Sequence, residues 1–251
     1  MSHPVVALWS HPRSMSTAFE RIMRARGDMA CLHEPFMYDY YVNRSKREMP
    51  HFDPEDGRPR SYDAIRDMIL EKAERGPVFF KDMSYYVVPH ILADHVFLDR
   101  VTHSFLVREL KASIISYAKL DPDLTSEEIG IEAQWQLFQH LLERHGKPPP
   151  VVSSERIQAD PVGQMQKYWL ATNLPDKPEA LNWNDPAPQD WQQVSGWHSD
   201  VMSSKTIRPI SSTQDMETRA TFEKLLAGQP RLKSLYNHRA GFHARLMEYV
   251  I

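Results

Sequence analysis

The sequence predicts a single α/β domain built on a parallel sheet flanked by helices, and three observations carry that expectation. Short, continuous apolar runs recur along the chain, as in strands buried on both faces. Segments with apolar residues at helical spacing lie between them. The composition, 41% hydrophobic and 25% charged, can supply a core. At 251 residues the chain fits one domain over residues 1–251, with a core over about 5–175 and a loop with helices over 176–251.

The first element is the apolar run Val5, Val6, Ala7, Leu8 and Trp9, a strand. Polar "SHPRSMS" follows, then a helix with Ser16 as its cap, Phe19, Ile22 and Met23 on its apolar face, and Gly27 and Asp28 as its stop. "CLHEPF", residues 31–36, sets His33 and Glu34 just beyond a further strand end. Residues 43–60, with "DPEDGRP" inside, read as a loop over the site face. A helix is expected over 63–74, and the run Val78, Phe79, Phe80 puts Lys81 and Asp82 at a strand end. The run Ser104, Phe105, Leu106, Val107 ends at Arg108 and leads to helices over 111–119 and 127–144. Val151 and Val152 form the last strand, after which Glu155, Asp160 and Pro161 set a turn and a helix start. Residues 182–212 lack periodicity, and Trp183, Trp191 and Trp197 there are expected to pin a loop to the core. Ligands of such a sheet gather at the carboxyl ends of its strands.

Several function classes are disfavoured. A formal net charge of -3 draws the chain to neither nucleic acid nor anionic lipid, so an anion site must be local. Cys31 is the single cysteine, which excludes an intramolecular disulfide and a cysteine-based zinc site and suits a reducing cytoplasm. No apolar stretch nears the roughly 20 residues of a membrane span, and the first residues run directly into a strand, so a soluble cytoplasmic protein is expected. The 12 histidines include no HExxH, and the pairs His140/His145 and His238/His243, five apart, do not share a helix face and read as surface residues; no metal site is expected.

The stretch from Ser10 to Thr17 is an anion loop of unusual make. Against G-x-x-x-x-G-K-[ST] it keeps only Thr17, with Ser10 and Met15 replacing the glycines and Ser16 the lysine. Its physical capacity remains: the backbone N–H groups of Ser14, Met15, Ser16 and Thr17 lie at a helix N-terminus, Arg13 adds a full charge, and Ser14, Ser16 and Thr17 add hydroxyls. Arg108 at a strand end and Ser116, eight residues on in the next helix, can converge on one phosphate as a planar fork and a neutral donor.

"PRSMST", residues 12–17, resembles the PKSGTT or PRSGST loop of sulfotransferases that use 3′-phosphoadenosine-5′-phosphosulfate (PAPS), where it cradles the 5′-phosphosulfate; Met15 departs from the usual glycine. Arg108 and Ser116 resemble that family's 3′-phosphate pair at the same spacing, and "VVSSERIQADPVGQMQKYWLATNLP", residues 151–175, resembles its E-x-L-x-x-D-P segment. "HEPF" is similar to the GEP segment of bacterial members, which implies Glu34 as catalytic base; His33, with a reference pKa near 6.5, stays open for that role. "VFFKDMSYY" resembles Golgi-type segments in which a lysine faces the transferred group, which implies Lys81 beside Arg13 as transition-state cations. Tyr38, Tyr40, Tyr41, Tyr85 and Tyr86 are expected to pack rather than line an acceptor pocket. The glycine-rich RKG nucleotide segment has no clear counterpart, with Ser203, Ser204, Lys205 and Arg208 as its candidate substitutes. The resemblance implies a P-loop NTPase-like sulfotransferase fold, a nucleotide-binding core, PAPS as co-substrate without a required metal, and a small hydroxyl- or amine-bearing acceptor. The motifs also resemble a bacterial subgroup sometimes labelled aminotransferase-like, although no pyridoxal-phosphate lysine motif is evident. Two alternatives stay open: a small-molecule kinase using Mg-ATP, with Asp82 as its nearest metal-binding aspartate, and a non-catalytic nucleotide-binding protein.

Overall fold

Five strands, β1 Val5–Ser10, β2 Ala30–His33, β3 Val78–Met83, β4 Val101–Val107 and β5 Val151–Ser153, form one parallel sheet in the order β2-β3-β1-β4-β5. The structure, a computed structural model, describes residues 2–88, 90–183, 186–197, 204–207, 209 and 212–251. β1 lies at the centre, with Val5 opposite Val78 of β3 on one side and Val101 of β4 on the other.

Strand pleating explains why the runs are continuously apolar. Val5, Ala7 and Trp9 face one hydrophobic cluster with Val78 and Phe80, while Val6 and Leu8 face another with Phe79. Every residue of β1 and β3 is buried, so either face would lose its partner if a polar residue were introduced there.

Helices cover both faces: α1 Ser16–Ala25, α2 Tyr62–Ala73, the short α3 Ser84–Val87, α4 His90–Ala93 and α5 His95–Arg100, then α6 Leu110–Ala118, α7 Ile131–His145, α8 Ser154–Ala159, α9 Pro161–Ala171, α10 Ser212–Gly228 and α11 Pro230–Met247. Several begin as their sequences dictate. The Ser61 side chain accepts from the Ala64 N–H at α2, and Asp160 caps α9 with Pro161 in its first turn. Gly27, at φ 69, ends α1.

Three details differ from expectation. The cap position of α1 is Met15, left-handed at φ 70, and no side chain caps it; Ser16 is the first helical residue. The helix expected over 127–144 is broken at Gly130, whose φ of 78 follows the single turn Glu127–Ile129. A Cβ on Gly130 would stand 3.1 Å from Pro12 and 3.2 Å from Tyr85, so only glycine lets this turn approach both. His140 and His243 are half-buried rather than on the surface, because α7 and α11 pack on each other.

The segment over 182–212 is pinned as expected where it is described. Trp183 donates its indole N–H to the Ser204 carbonyl at 2.7 Å, and Trp191 is fully buried. Among the described residues, no helix is long and apolar enough to cross a membrane.

Candidate active site

A cavity of about 430 Å³ opens at the carboxyl ends of β1, β3 and β4. Pro12, Arg13, Met15, Ser16 and Thr17 of the loop after β1 line it, together with Glu34 and Arg108. The loop enters α1 through two left-handed residues, Arg13 at φ 62 and Met15 at φ 70. That backbone is unfavourable for a side-chain-bearing residue by about 1–2 kcal/mol, and it leaves the first N–H groups of α1 without a capping side chain. Ser14 is buried, and its Oγ has no hydrogen-bond partner among the described residues. A helix N-terminus in that condition has the dipole and N–H groups that suit an anion.

Arg108, Arg13 and Ser116 meet at this loop. Arg108 donates from Nη1 to the Arg13 carbonyl at 2.7 Å, and Arg13 donates from Nε to Ser116 Oγ at 2.9 Å and from Nη1 to the Trp197 carbonyl at 2.6 Å. Arg108 and Ser116 are both bonded to Arg13, one at its carbonyl and the other at its guanidinium, a link that their spacing does not reveal. The Arg108 N–H donates to His11 Nε2 at 3.1 Å; burial, with His243 and Arg108 nearby, pushes His11 down to about 3 and keeps it a neutral acceptor. Arg108 itself forms no ion pair among the described residues, and burial lowers its pKa, partly countered by Glu155 and Glu109. Even so lowered, a guanidinium stays charged.

The second group of residues stands at the end of β2 and within β3, which runs on through Lys81 and Asp82 to Met83 instead of ending before them, because all six of its residues are buried in the sheet. Glu34 follows β2 directly, held at φ 41 with its N–H on the Lys81 carbonyl at 3.0 Å. Its Oε1 forms an ion pair with Lys81 Nζ, and Tyr86 donates to its Oε2 at 3.2 Å. Lys81 Nζ also reaches Thr17 Oγ1 at 3.5 Å, which ties this pair to the anion loop. Burial pushes the Glu34 carboxyl upward, but Lys81 and His33 outweigh it and hold the group below the ordinary carboxylate range.

His33 lies behind Glu34. Its Nε2 is 3.9 Å from Glu34 Oε1, and its Nδ1 is 2.6 Å from Glu20 Oε2. Glu20 also accepts from Arg24 Nε at 2.7 Å and from the Trp191 indole at 3.0 Å. Burial opposes its charge, yet His33 and Arg24 keep Glu20 strongly acidic. Sequence reasoning missed Glu20 because one glutamate within a helix carries no signal; only its position across from His33 gives it meaning.

The tyrosines correct the sequence expectation. Tyr41, Tyr85 and Tyr86 line the cavity, as does Tyr117, which no motif singled out; Tyr38 and Tyr40 pack as expected. Trp197 does both, donating its indole N–H to the Pro50 carbonyl at 2.7 Å while facing the cavity. Asp82 is buried with its carboxylate on the N–H groups of Phe36 at 2.8 Å and Met83 at 2.9 Å. Burial and Glu34 raise its pKa, and the bond from the Phe36 N–H ties it to the turn after β2. Of the candidate nucleotide contacts near the end of the loop, Ser204 lines the cavity, Lys205 is exposed, and Ser203 and Arg208 lie outside the described residues.

Fold and site together define a class: an α/β protein whose first strand leads through a left-handed turn into an uncapped helix N-terminus beside a cavity at the carboxyl ends of the strands. The chain belongs to the sulfotransferase domain family, whose sequence model matches residues 5–211. It is similar to two proteins of Arabidopsis thaliana, branched-chain-amino-acid aminotransferase-like proteins 1 and 2, at 24% and 22% identity over 81% and 80% of this chain. The match spans only 37% and 35% of their lengths. Among solved structures, the fold is similar to the sulfotransferase domain of the Synechococcus PCC 7002 olefin synthase (TM-score 0.51, 16% identity, 89% of this chain and 96% of that one). It is likewise similar to the sulfotransferase domain from the curacin biosynthetic pathway (TM-score 0.50, 14% identity, 90% and 98%). A sulfotransferase from Alicyclobacillus acidocaldarius matches at a TM-score of 0.50 and 12% identity over 80% of this chain and 93% of that one.

Proposed function

We propose that residues 1–251 act as one cytoplasmic domain that transfers a sulfuryl group from PAPS to a hydroxyl or amine of a small molecule, in line and without a required metal. The observation that carries this reading is Arg108: a half-buried guanidinium with no ion pair among the described residues, set beside Arg13 and Ser116 next to an uncapped helix N-terminus. Such a group needs an anion to offset its desolvation. The orphaned Ser14 Oγ in the loop after β1 fits the same demand.

In this reading Arg108 and Ser116 hold the 3′-phosphate, and Arg13 with the backbone and hydroxyls of Ser14, Met15, Ser16 and Thr17 holds the phosphosulfate. Lys81 and Arg13 bear the charge that develops on the leaving oxygen. Glu34 takes the acceptor's proton; it lines the cavity, whereas His33 stands behind it with Glu20. Lys81 sits between Glu34 and Thr17, so a shift of its ammonium toward the anion loop would relax its hold on Glu34 and raise the basicity of that carboxylate.

The test is thermal unfolding with adenosine 3′,5′-bisphosphate, with AMP, and with ATP in the presence and absence of Mg²⁺. A ligand at a hundredfold excess over its Kd adds about 2.7 kcal/mol to apparent stability. A rise with the bisphosphate and little with AMP is expected, and Glu34→Ala should abolish turnover while keeping that rise. A rise only with Mg-ATP would replace this reading by a kinase, and turnover unchanged in Glu34→Ala would remove the base.

A further inference from the structure

We infer that Glu20 is a positioning residue for the reaction: through His33 it fixes a positive charge behind Glu34, so that the base stays ionised when Lys81 turns to the donor. This rests on the sulfotransferase reading for the role of Glu34, and on the buried cluster behind Glu34 for the charge. Its basis is an imidazole set between two carboxylates. His33 Nδ1 is 2.6 Å from Glu20 Oε2 and its Nε2 is 3.9 Å from Glu34 Oε1, and the side chains of His33 and Glu20 are both closed to solvent.

The partners decide where the first proton lies. Burial opposes the charge of Glu20, but His33 and Arg24 outweigh it, so Glu20 is an ionised carboxylate that can only accept. Nδ1 of His33 therefore carries a proton and donates it to Glu20. The other oxygen of Glu20 accepts from Arg24 Nε at 2.7 Å and from the Trp191 indole at 3.0 Å, so the carboxylate cannot turn from His33 without losing both. The Trp191 ring also lies 5.7 Å from the imidazole, within the range at which an aromatic ring favours a cation.

Charge balance puts a second proton on Nε2. Asp190, Glu20 and Glu34 are joined into one chain through Arg24, His33 and Lys81, with Arg24 shared between Glu20 and Asp190, which it reaches at 2.6 Å. Three carboxylates then face two permanent cations, and His33 is the member of the chain that can supply a third. The neutral neighbours add no charge: burial pushes the Cys31 thiol up to about 12, burial and Glu34 disfavour the charge of Asp82, and burial keeps the Tyr86 hydroxyl protonated. Arg21, on the same helix as Glu20, bonds the Pro186 carbonyl and lies 5.6 Å from the centre of the Trp191 ring. A well-packed apolar pair would hold α1 on β2 as firmly as this buried ionic one, so the fold alone does not account for it.

The chemistry does. Burial pushes the Glu34 carboxyl upward, and Lys81 and His33 are the two cations that overcome it. Lys81 Nζ already reaches Thr17 Oγ1 at 3.5 Å, so an anion on that loop competes for its ammonium, whereas His33 is held from behind by Glu20. With Lys81 drawn away and His33 neutral, burial would protonate Glu34, and a protonated carboxyl takes no proton from an acceptor. With His33 charged, Glu34 stays ionised while its basicity rises.

The experiment is nuclear magnetic resonance on the isotopically labelled whole chain, with and without adenosine 3′,5′-bisphosphate. Nitrogen spectra report the protons of the His33 ring, assigned with His33→Gln, and carbon spectra follow the titration of the Glu34 carboxyl. Near pH 7 the native His33 should carry protons on both nitrogens. In Glu20→Gln the ring should be neutral there and Glu34 should bind its proton about tenfold more tightly, with a larger change when the bisphosphate is bound. Glu20→Asp, which keeps the charge, should move Glu34 less, and Glu20→Gln added to His33→Gln should not move it further. A neutral His33 in the native protein would overturn the inference without any variant, as would a Glu34 midpoint that Glu20→Gln leaves in place. A doubly protonated His33 and a displaced Glu34 midpoint in a protein that the bisphosphate does not stabilise would uphold the cluster while overturning the donor reading, so the two failures are distinct.

Discussion

Replacing Lys81 by methionine keeps the stem and removes the charge from a side chain that is fully buried against Glu34. Losing one partner of a buried ion pair strands the other, at a cost of about 3–5 kcal/mol. For a chain of this size that is a fall in Tm of about 6–20 °C. The pH dependence carries the sharper test. In the native protein the folded Glu34 carboxyl lies below its ordinary value of 4.5, so its contribution to stability is complete above that value and is lost as pH falls through the lower folded one. In Lys81→Met the burial that Lys81 offset acts on Glu34 with only His33 and the Tyr86 hydroxyl against it, so protonation relieves much of the strain in acid. The stability gap between the two proteins should therefore widen from about pH 4 to about pH 7 when measured by urea denaturation. Adding Glu34→Gln to Lys81→Met should recover most of the loss at neutral pH, because the stranded charge is gone. A gap that is equal at every pH, or a double variant no more stable than the single, would refute this account of the pair.

Two other outcomes follow from the same geometry. Arg108→Ala should weaken binding of adenosine 3′,5′-bisphosphate by about 1.5–3 kcal/mol, the range of a charged hydrogen-bonding group, with adenosine 5′-phosphosulfate little affected; calorimetry showing equal losses would break the 3′-phosphate assignment. Met15→Gly should leave stability equal or raise it by up to about 1 kcal/mol, since φ 70 suits glycine, and urea denaturation showing a loss beyond about 1 kcal/mol would mean that Met15's packing against Ala18 and Phe19's cluster outweighs its backbone strain.

Much of this molecule is legible in its residues alone. The five-residue run from Val5 to Trp9 is apolar throughout because both faces of β1 are covered, and that pattern needs no coordinates to read. The turn chemistry of "PRSMST", the stop at Gly27 and the cap at Asp160 and Pro161 are local, decided within a few residues of themselves. The places of His33 and Glu34 at the end of β2 follow from the strand, whereas Lys81, expected at the end of the run from Val78 to Phe80, lies within β3, which continues to Met83. What sequence could not decide are relations between distant segments. Arg13 bonding to Ser116 and to the Trp197 carbonyl, separated by 103 and 184 residues, depends on how α6 and the late loop cross the end of the sheet. Glu20 meets His33 because α1 packs on β2, and Tyr41, Tyr85, Tyr86 and Tyr117 come to one cavity from three separate segments of the chain. Local patterns record the backbone and burial state each residue needs; they hold no record of which partner fills the space opposite, because that is set by close packing of the whole chain.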